Sequence, residues 1–137
     1  MIRFTMVVGL PCSGKSVMGK TIAETTGALF IDDPKDFEQD VREKIKDNRE
    51  VVIADPHLCK KSAREAAEAV LLKLFPYSSF EWIYFENNPE KAMINMEYRI
   101  SKGDTREVRS MISLSSRNYE IPADAHVLNI WQPEKNS

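Results

Sequence analysis

Cysteine is scarce in this 137-residue chain: Cys12 and Cys59 are the only two, and they lack metal-ligand spacing. Two isolated thiols cannot make the bridged framework of a small secreted domain, so they read as free thiols in a reducing compartment. Long apolar runs are missing too. Nothing approaches the roughly 20 residues that cross a bilayer, and the first apolar segment follows no secretory leader. A cytoplasmic address is therefore expected, with neither a membrane nor an obligate protein partner. Charge of one sign is not in excess, since 19 basic residues against 21 acidic ones leave a net charge of −2. That balance argues against a general nucleic-acid-binding surface, while leaving room for a local basic patch that holds a phosphorylated acceptor. Repeats, low-complexity stretches and linkers rich in Gly, Ser or Pro are absent, so residues 1–137 are expected to form one domain.

What the chain does have is an alternation of strand-like and helix-like segments. Ile2–Val8 reads as a buried strand, and Lys15–Thr26 as a helix closed by Gly27. Ala28–Ile31 is a short strand, Lys35–Lys46 a surface helix with one apolar stripe, and Val51–Ala54 a third strand. Ser62–Phe75 is a helix in which Ser62 is expected to cap and Glu65 stands at capping-box distance. Phe80–Phe85 is a strand, Pro89–Ile100 a helix opened by proline, Val108–Ser116 a helix and His126–Ile130 a last strand. Trp82 and Trp131 are expected to pack on or beside strands, and Gln132–Ser137 to fray. Strands separated by helices need crossover connections, which give a mainly parallel five-stranded sheet covered on both faces. The expected class is a three-layer α/β fold.

Gly9-Leu10-Pro11-Cys12-Ser13-Gly14-Lys15-Ser16 fits the spacing G-x-x-x-x-G-K-[ST]. Glycines let backbone wrap closely around a phosphate, with successive N–H groups aimed inward. A helix that starts at the end of the loop turns its positive end to the anion. Lys15 is placed to reach β and γ oxygens, and the Ser16 hydroxyl to join a magnesium shell. The motif follows an apolar strand and opens an amphipathic helix, the context its mechanics require. Gly9, Pro11, Cys12, Ser13, Gly14, Lys15 and Ser16 are thus the candidate ATP-binding residues, with Mg²⁺ as companion.

The Asn-Lys-x-Asp element of guanine-reading switches is absent, and the chain is short for a motor or ring-forming ATPase. Acidic residues instead stand after two strands, where open α/β sheets bind ligands. Asp32 or Asp33 is a candidate base for an attacking hydroxyl, and either can also serve the Asp-Asp-Pro turn. Asp55 ends the third strand, where a carboxylate lies near magnesium or the acceptor, and His57 beside it reads as an ordinary loop histidine. Arg99, Lys102, Arg106, Arg109 and Arg117 stand against Asp104 and Glu107 around a Lys-Gly-Asp-Thr turn. A basic lid over about 99–117 gathers cations on a transferring phosphoryl group when it closes, and Arg106 and Arg109 are its candidate catalytic residues.

Taken together, the cradle, the acid after the second strand, Val-Ile-Ala-Asp-Pro-His-Leu at 52–58, Arg64, and the run from Arg99 to Met111 resemble the kinase domain of bacteriophage polynucleotide kinase. The resemblance extends to about Tyr119. It implies a kinase that uses ATP and magnesium on a hydroxyl of DNA, RNA or a nucleotide, in host cytoplasm if phage-encoded. Related phage kinases, which act on a hydroxymethyl group of a modified pyrimidine in DNA, offer a second acceptor. By position, Asp33 or Asp32 would be the base, Asp55 and Arg64 would lie near the acceptor, and Arg106 or Arg109 would face ATP. The family's arginine three residues after its base is replaced by Lys35 counting from Asp32, or Asp36 counting from Asp33. Lysine keeps the charge, which favours Asp32 and makes Lys35 an acceptor-side candidate. A small-metabolite kinase and an ATP-binding switch without transfer are the alternatives.

Overall fold

The computed structural model describes residues 1–133. Five strands, β1 (Arg3–Val8), β2 (Leu29–Asp32), β3 (Glu50–Ala54), β4 (Ser79–Phe85) and β5 (Val127–Leu128), form one sheet in the order β2-β3-β1-β4-β5. Every pairing is parallel. Five helices are described: α1 (Lys15–Thr26), α2 (Phe37–Lys44), α3 (Lys61–Leu74), α4 (Pro89–Ser101) and α5 (Arg109–Asn118). A 3-10 turn at Pro56–Cys59 follows β3.

Alternation along β1 divides the core. Phe4, Met6 and Val8 join the larger apolar cluster, to which α2, α3, α4 and α5 contribute Val41, Leu71, Met96 and Ile112. Val7 faces the other way, with Val52, Ala54, Phe85 and Ile130, against Met18 and Ile22 of α1. Both faces of the sheet are therefore covered, and strands so covered need apolar residues at nearly every position. Close approach of α1 depends on Gly19, where a Cβ would run into the Phe30 ring.

Local chemistry sets the ends. The Asp36 side chain accepts from the Gln39 amide and starts α2 two residues later than the expected Lys35. Asn88 caps α4 through the Lys91 amide, with Pro89 in the first turn. The expected capping box of α3 does not form, because the 3-10 turn runs directly into the helix. The Lys60 carbonyl accepts from the Ala63 and Arg64 amides, and no side chain caps this end. The last strand shrinks from the expected His126–Ile130 to two residues. Among the described residues, no helix is long and apolar enough to cross a membrane.

Parallel pairing brings the carboxyl ends of β1, β2 and β3 to one edge. In register, Asp32 stands beside Ala54, the residue before Asp55. Loops that leave this edge therefore share a small volume.

Candidate active site

The loop between β1 and α1 carries two left-handed residues, Cys12 with φ 65° and Gly14 with φ 109°. Left-handed backbone strains an L side chain, and glycine relieves the strain at the second of these positions. Gly9 is required for space, since a Cβ there would meet the Ser13 Oγ at 2.6 Å and the Phe85 Cβ at 3.1 Å. The loop thus folds back over its own start, and the Ser13 amide donates to the Leu10 carbonyl at 3.2 Å. Ser13 Oγ is fully buried and has no hydrogen-bond partner among the described residues.

Lys15 is buried, and its Nζ donates to the Leu10 carbonyl at 2.7 Å. Burial pushes its pKa down, against smaller opposing pulls from neighbouring groups that include Asp32 and Asp55. A buried ammonium held by one neutral carbonyl is under-compensated, and an anion in the loop would satisfy it. The Ser16 hydroxyl donates to Asp32 Oδ2 at 2.7 Å. An unpartnered buried hydroxyl, an under-compensated ammonium and a serine–carboxylate pair are the donor set that a triphosphate with a hard divalent cation requires.

A cleft of about 220 Å³ lies beside this loop. Pro11, Cys12, Lys15, Ser16, Asp32 and Asp33 line one side, and Met96, Arg99, Asp104, Arg106, Val108 and Met111 the other. Arg99, in the last turn of α4, sets its Nη1 3.7 Å from Cys12 Sγ. Arg106 is held in a fork by Asp104, with Nη2 to Oδ2 at 3.2 Å and its amide to Oδ1 at 2.9 Å. Those bonds hold the Asp104 carboxyl below its ordinary pKa and raise that of Arg106.

Other expected site residues lie outside this cleft. Arg109 pairs with Glu97 at 3.8 Å on the outer side of α4 and α5, and Arg117 is exposed in the last turn of α5. Arg64, expected at the acceptor, is buried. It donates to the carbonyls of Leu58 at 2.9 Å, Cys59 at 3.0 Å and Glu120 at 2.6 Å, and lies 5.3 Å from the Tyr84 ring centre. Nη1 spends both of its N–H groups on the turn and Nη2 one on the Glu120 carbonyl, so the guanidinium ties the turn to residue 120. Asp55, expected at the metal or acceptor, is buried and turned to His57. Its Oδ1 accepts from the His57 amide at 2.9 Å and stands 2.8 Å from Nδ1, while the Ser16 hydroxyl goes to Asp32. Burial raises the pKa of Asp55, and the two His57 contacts oppose the rise. Asp33, with φ 46°, belongs to both neighbourhoods: it lines the cleft, and its carboxylate gathers with Asp55 and His57 so that one ligand atom from each lies within 4.8 Å of the others. Lys35 lines a second hollow with Asp55 and His57.

Sequence reasoning missed Trp131 and His57. Trp131 is 61% exposed and does not pack as expected. Its ring stands edge-on to Tyr98 at 6.5 Å, and its carbonyl accepts from Asn95 Nδ2 at 2.6 Å. Gln132, expected to fray, donates to the Lys91 carbonyl at 3.1 Å; residues 134–137 of that tail lie outside the described residues. Trp131, Tyr98, Val17 and Phe85 wall an apolar hollow that meets the loop at Gly14 and the cleft at Arg99. Val17, whose spacing in α1 reads as a core position, is instead exposed at 64% and forms part of this wall.

No protein-family model matches the chain, and no curated protein sequence matches it. Solved structures do. A gluconokinase from Sinorhizobium meliloti 1021 superposes with a TM-score of 0.64 at 20% identity, over 94% of this chain and 83% of that one. A fungal RNA kinase superposes with a TM-score of 0.65 at 13% identity, over 99% of this chain and 79% of that one. At these identities the likeness concerns the fold alone, an α/β architecture with a five-stranded parallel sheet.

Proposed function

We propose that the chain is an ATP-dependent phosphotransferase whose acceptor is a hydroxyl of a nucleic acid or nucleotide. The observation that carries this reading is the single cleft in which Lys15, Ser16, Asp32 and Asp33 face Arg99 and Arg106. Phosphoryl transfer asks for positioned cations around spreading negative charge and for a carboxylate beside the attacking oxygen, and this cleft supplies both. Backbone amides of residues 9–16 would hold the phosphates. Ser16 and Asp32 would hold magnesium, which when bound neutralises phosphate charge. The hollow walled by Trp131, Tyr98 and Val17 would take the base of the donor nucleotide, because it is apolar, aromatic and continuous with the cradle.

Asp32 is committed to Ser16, so base duty falls to Asp33, which faces the cleft without such a bond. This departs from the preference for Asp32 that Lys35 suggested. Residues 99–117 act as a lid in this reading: Gly103, with φ 105°, breaks the chain between α4 and α5, and Arg106 is carried on the exposed segment that follows. Lid closure would bring Arg99 and Arg106 onto the transferring group and exclude water.

The deciding experiment supplies γ-labelled ATP with DNA and RNA bearing 5′-hydroxyl ends, hydroxymethyluracil DNA, nucleosides and sugar acids. Label in a nucleic acid or nucleoside supports the reading. Label in sugar acids alone makes the protein a small-metabolite kinase. ATP binding with no label in any acceptor makes it a switch.

A further inference from the structure

An exposed histidine is held more firmly than an exposed loop side chain ordinarily is. His57 is 71% exposed at its side chain, yet it stands on the 3-10 turn whose other members, Pro56, Leu58 and Cys59, are buried. The Leu58 amide donates to the Asp55 carbonyl at 3.1 Å, and Arg64 clamps the turn from below. Asp55 then takes both the His57 amide and Nδ1 on one oxygen. An ionised Asp55 would only accept, and in a neutral ring that contact would put the proton on Nδ1 and leave the lone pair on Nε2. Ordering an exposed ring in one tautomer has an entropic cost and returns little packing, so a ligand that uses the ring gives the arrangement a purpose.

Beside His57 lies a hollow of about 320 Å³ between α2 and α3. Ala63, Ala66, Ala67 and Val70 of α3 face Phe37 across it. Methyl groups and one ring make a floor without hydrogen-bonding groups. Lys35, Glu38, Asp55 and His57 supply the polar part of its lining, and Asp33, gathered with Asp55 and His57, also lines the phosphate cleft. An open-chain polyol buried on this floor would leave its hydroxyls unpaired, whereas a flat ring face would lose nothing polar.

We propose that the acceptor occupies this hollow, and that His57 selects acceptors carrying an O–H or N–H donor near the reacting hydroxyl and a ring to lie on the alanine floor. The class is nucleoside-like; open-chain polyols are rejected. This rests on the phosphotransferase reading and adds the acceptor's place and its reader. The reacting hydroxyl gives its proton to the Asp33 carboxylate, its oxygen forms the new bond to the γ-phosphorus, and the bond from that phosphorus to the bridging oxygen breaks to release ADP. His57 takes a second hydrogen bond from the acceptor and is not the base.

Two measurements test this. In the first, histidine ring ¹⁵N spectra of the whole chain are recorded with millimolar thymidine, adenosine or gluconate, using a His126→Gln variant to assign the two rings. His57 is expected in the Nδ1-protonated form, and its Nε2 signal moves with the nucleosides but not with gluconate. An unperturbed ring, or movement with gluconate alone, overturns the proposal whether or not the protein transfers phosphate. In the second, acceptor KM and kcat are measured for His57→Ala, His57→Gln and Ala66→Phe. His57→Ala and Ala66→Phe raise acceptor KM about tenfold or more with ATP KM unchanged. Glutamine, whose amide oxygen restores an acceptor, recovers most of the loss. Acceptor KM left unchanged by Ala66→Phe overturns the proposal while the phosphotransferase reading stands. Absence of transfer in the unmodified chain removes the phosphotransferase reading, and the ring spectra then decide the hollow alone.

Discussion

The two walls of the cleft are built by opposite means. The wall from Gly9 to Ser16 is mostly backbone and buried side chain: Ser13 and Lys15 are buried, Gly9 has no room for a Cβ, and the loop grows directly out of the central strand. The wall from Arg99 to Met111 is mostly exposed, and its charged groups are held by their neighbours in sequence, as Asp104 holds Arg106. A rigid anion cradle costs no reorganisation when a phosphate arrives, whereas cations that must gather on a moving group need a wall that can move. On the proposed phosphotransferase reading, the first wall would bind and the second would close.

Breaking the rigid wall should have the largest effect. Lys15→Ala removes the cradle's buried cation, and transfer should fall on the order of 10³-fold in a labelled-ATP assay. The mobile wall should separate by residue. Arg106→Ala is expected to lower kcat on the order of 10²-fold with a small change in ATP KM, since its cation counts after closure. Arg109→Ala should stay within about twofold, because it removes only an exposed pair with Glu97.

A pH experiment sharpens the comparison on the acceptor side. Burial raises the Asp55 pKa in the folded chain, so folding favours its protonated form. That contribution is present below the unfolded pKa of about 3.9 and is lost as pH rises through the folded value. Asp55→Asn should therefore melt above the parent at pH 7, with the gap closing toward pH 4, while transfer declines. A parent that melts higher at pH 7 would show that the His57 contacts outweigh the burial. The smallest effect is chemical. Burial pushes the Cys59 thiol up to about 11, so it should resist iodoacetamide, while Cys12 on the cleft wall is labelled and magnesium–ATP protects it. Peptide mass mapping reads this directly.

The rigid wall was legible in the sequence because its determinants are local. Glycine spacing, a preceding apolar strand and a following amphipathic helix all fall within 26 residues, and α1 has its expected bounds. The parallel sheet followed from alternation alone, whereas the strand order β2-β3-β1-β4-β5 came only with the structure. The remaining site residues depended on distant partners. Arg64 matched a family position early in a helix, but the Glu120 carbonyl, 56 residues away, claims its guanidinium. Ser62 looked like a cap, but it lies inside α3, whose first amides go to the Lys60 carbonyl. His57 looked inert because a lone loop histidine carries no periodic signal. The usable clue was its place two residues after Asp55, which lets one carboxylate cap the turn and hold the ring. Trp131 follows a two-residue strand, too short to announce which way its ring would point.

A parallel sheet gives the molecule a working end and an idle end. The bend at residues 46–49 and the turn at 75–78 sit where β3 and β4 begin, at the end of the sheet opposite the cleft. A dye, affinity handle or surface tether attached at Lys46 would leave the cleft and the hollow beside His57 facing solution. The protein can then be immobilised in one orientation and challenged with acceptors too large to follow in free solution.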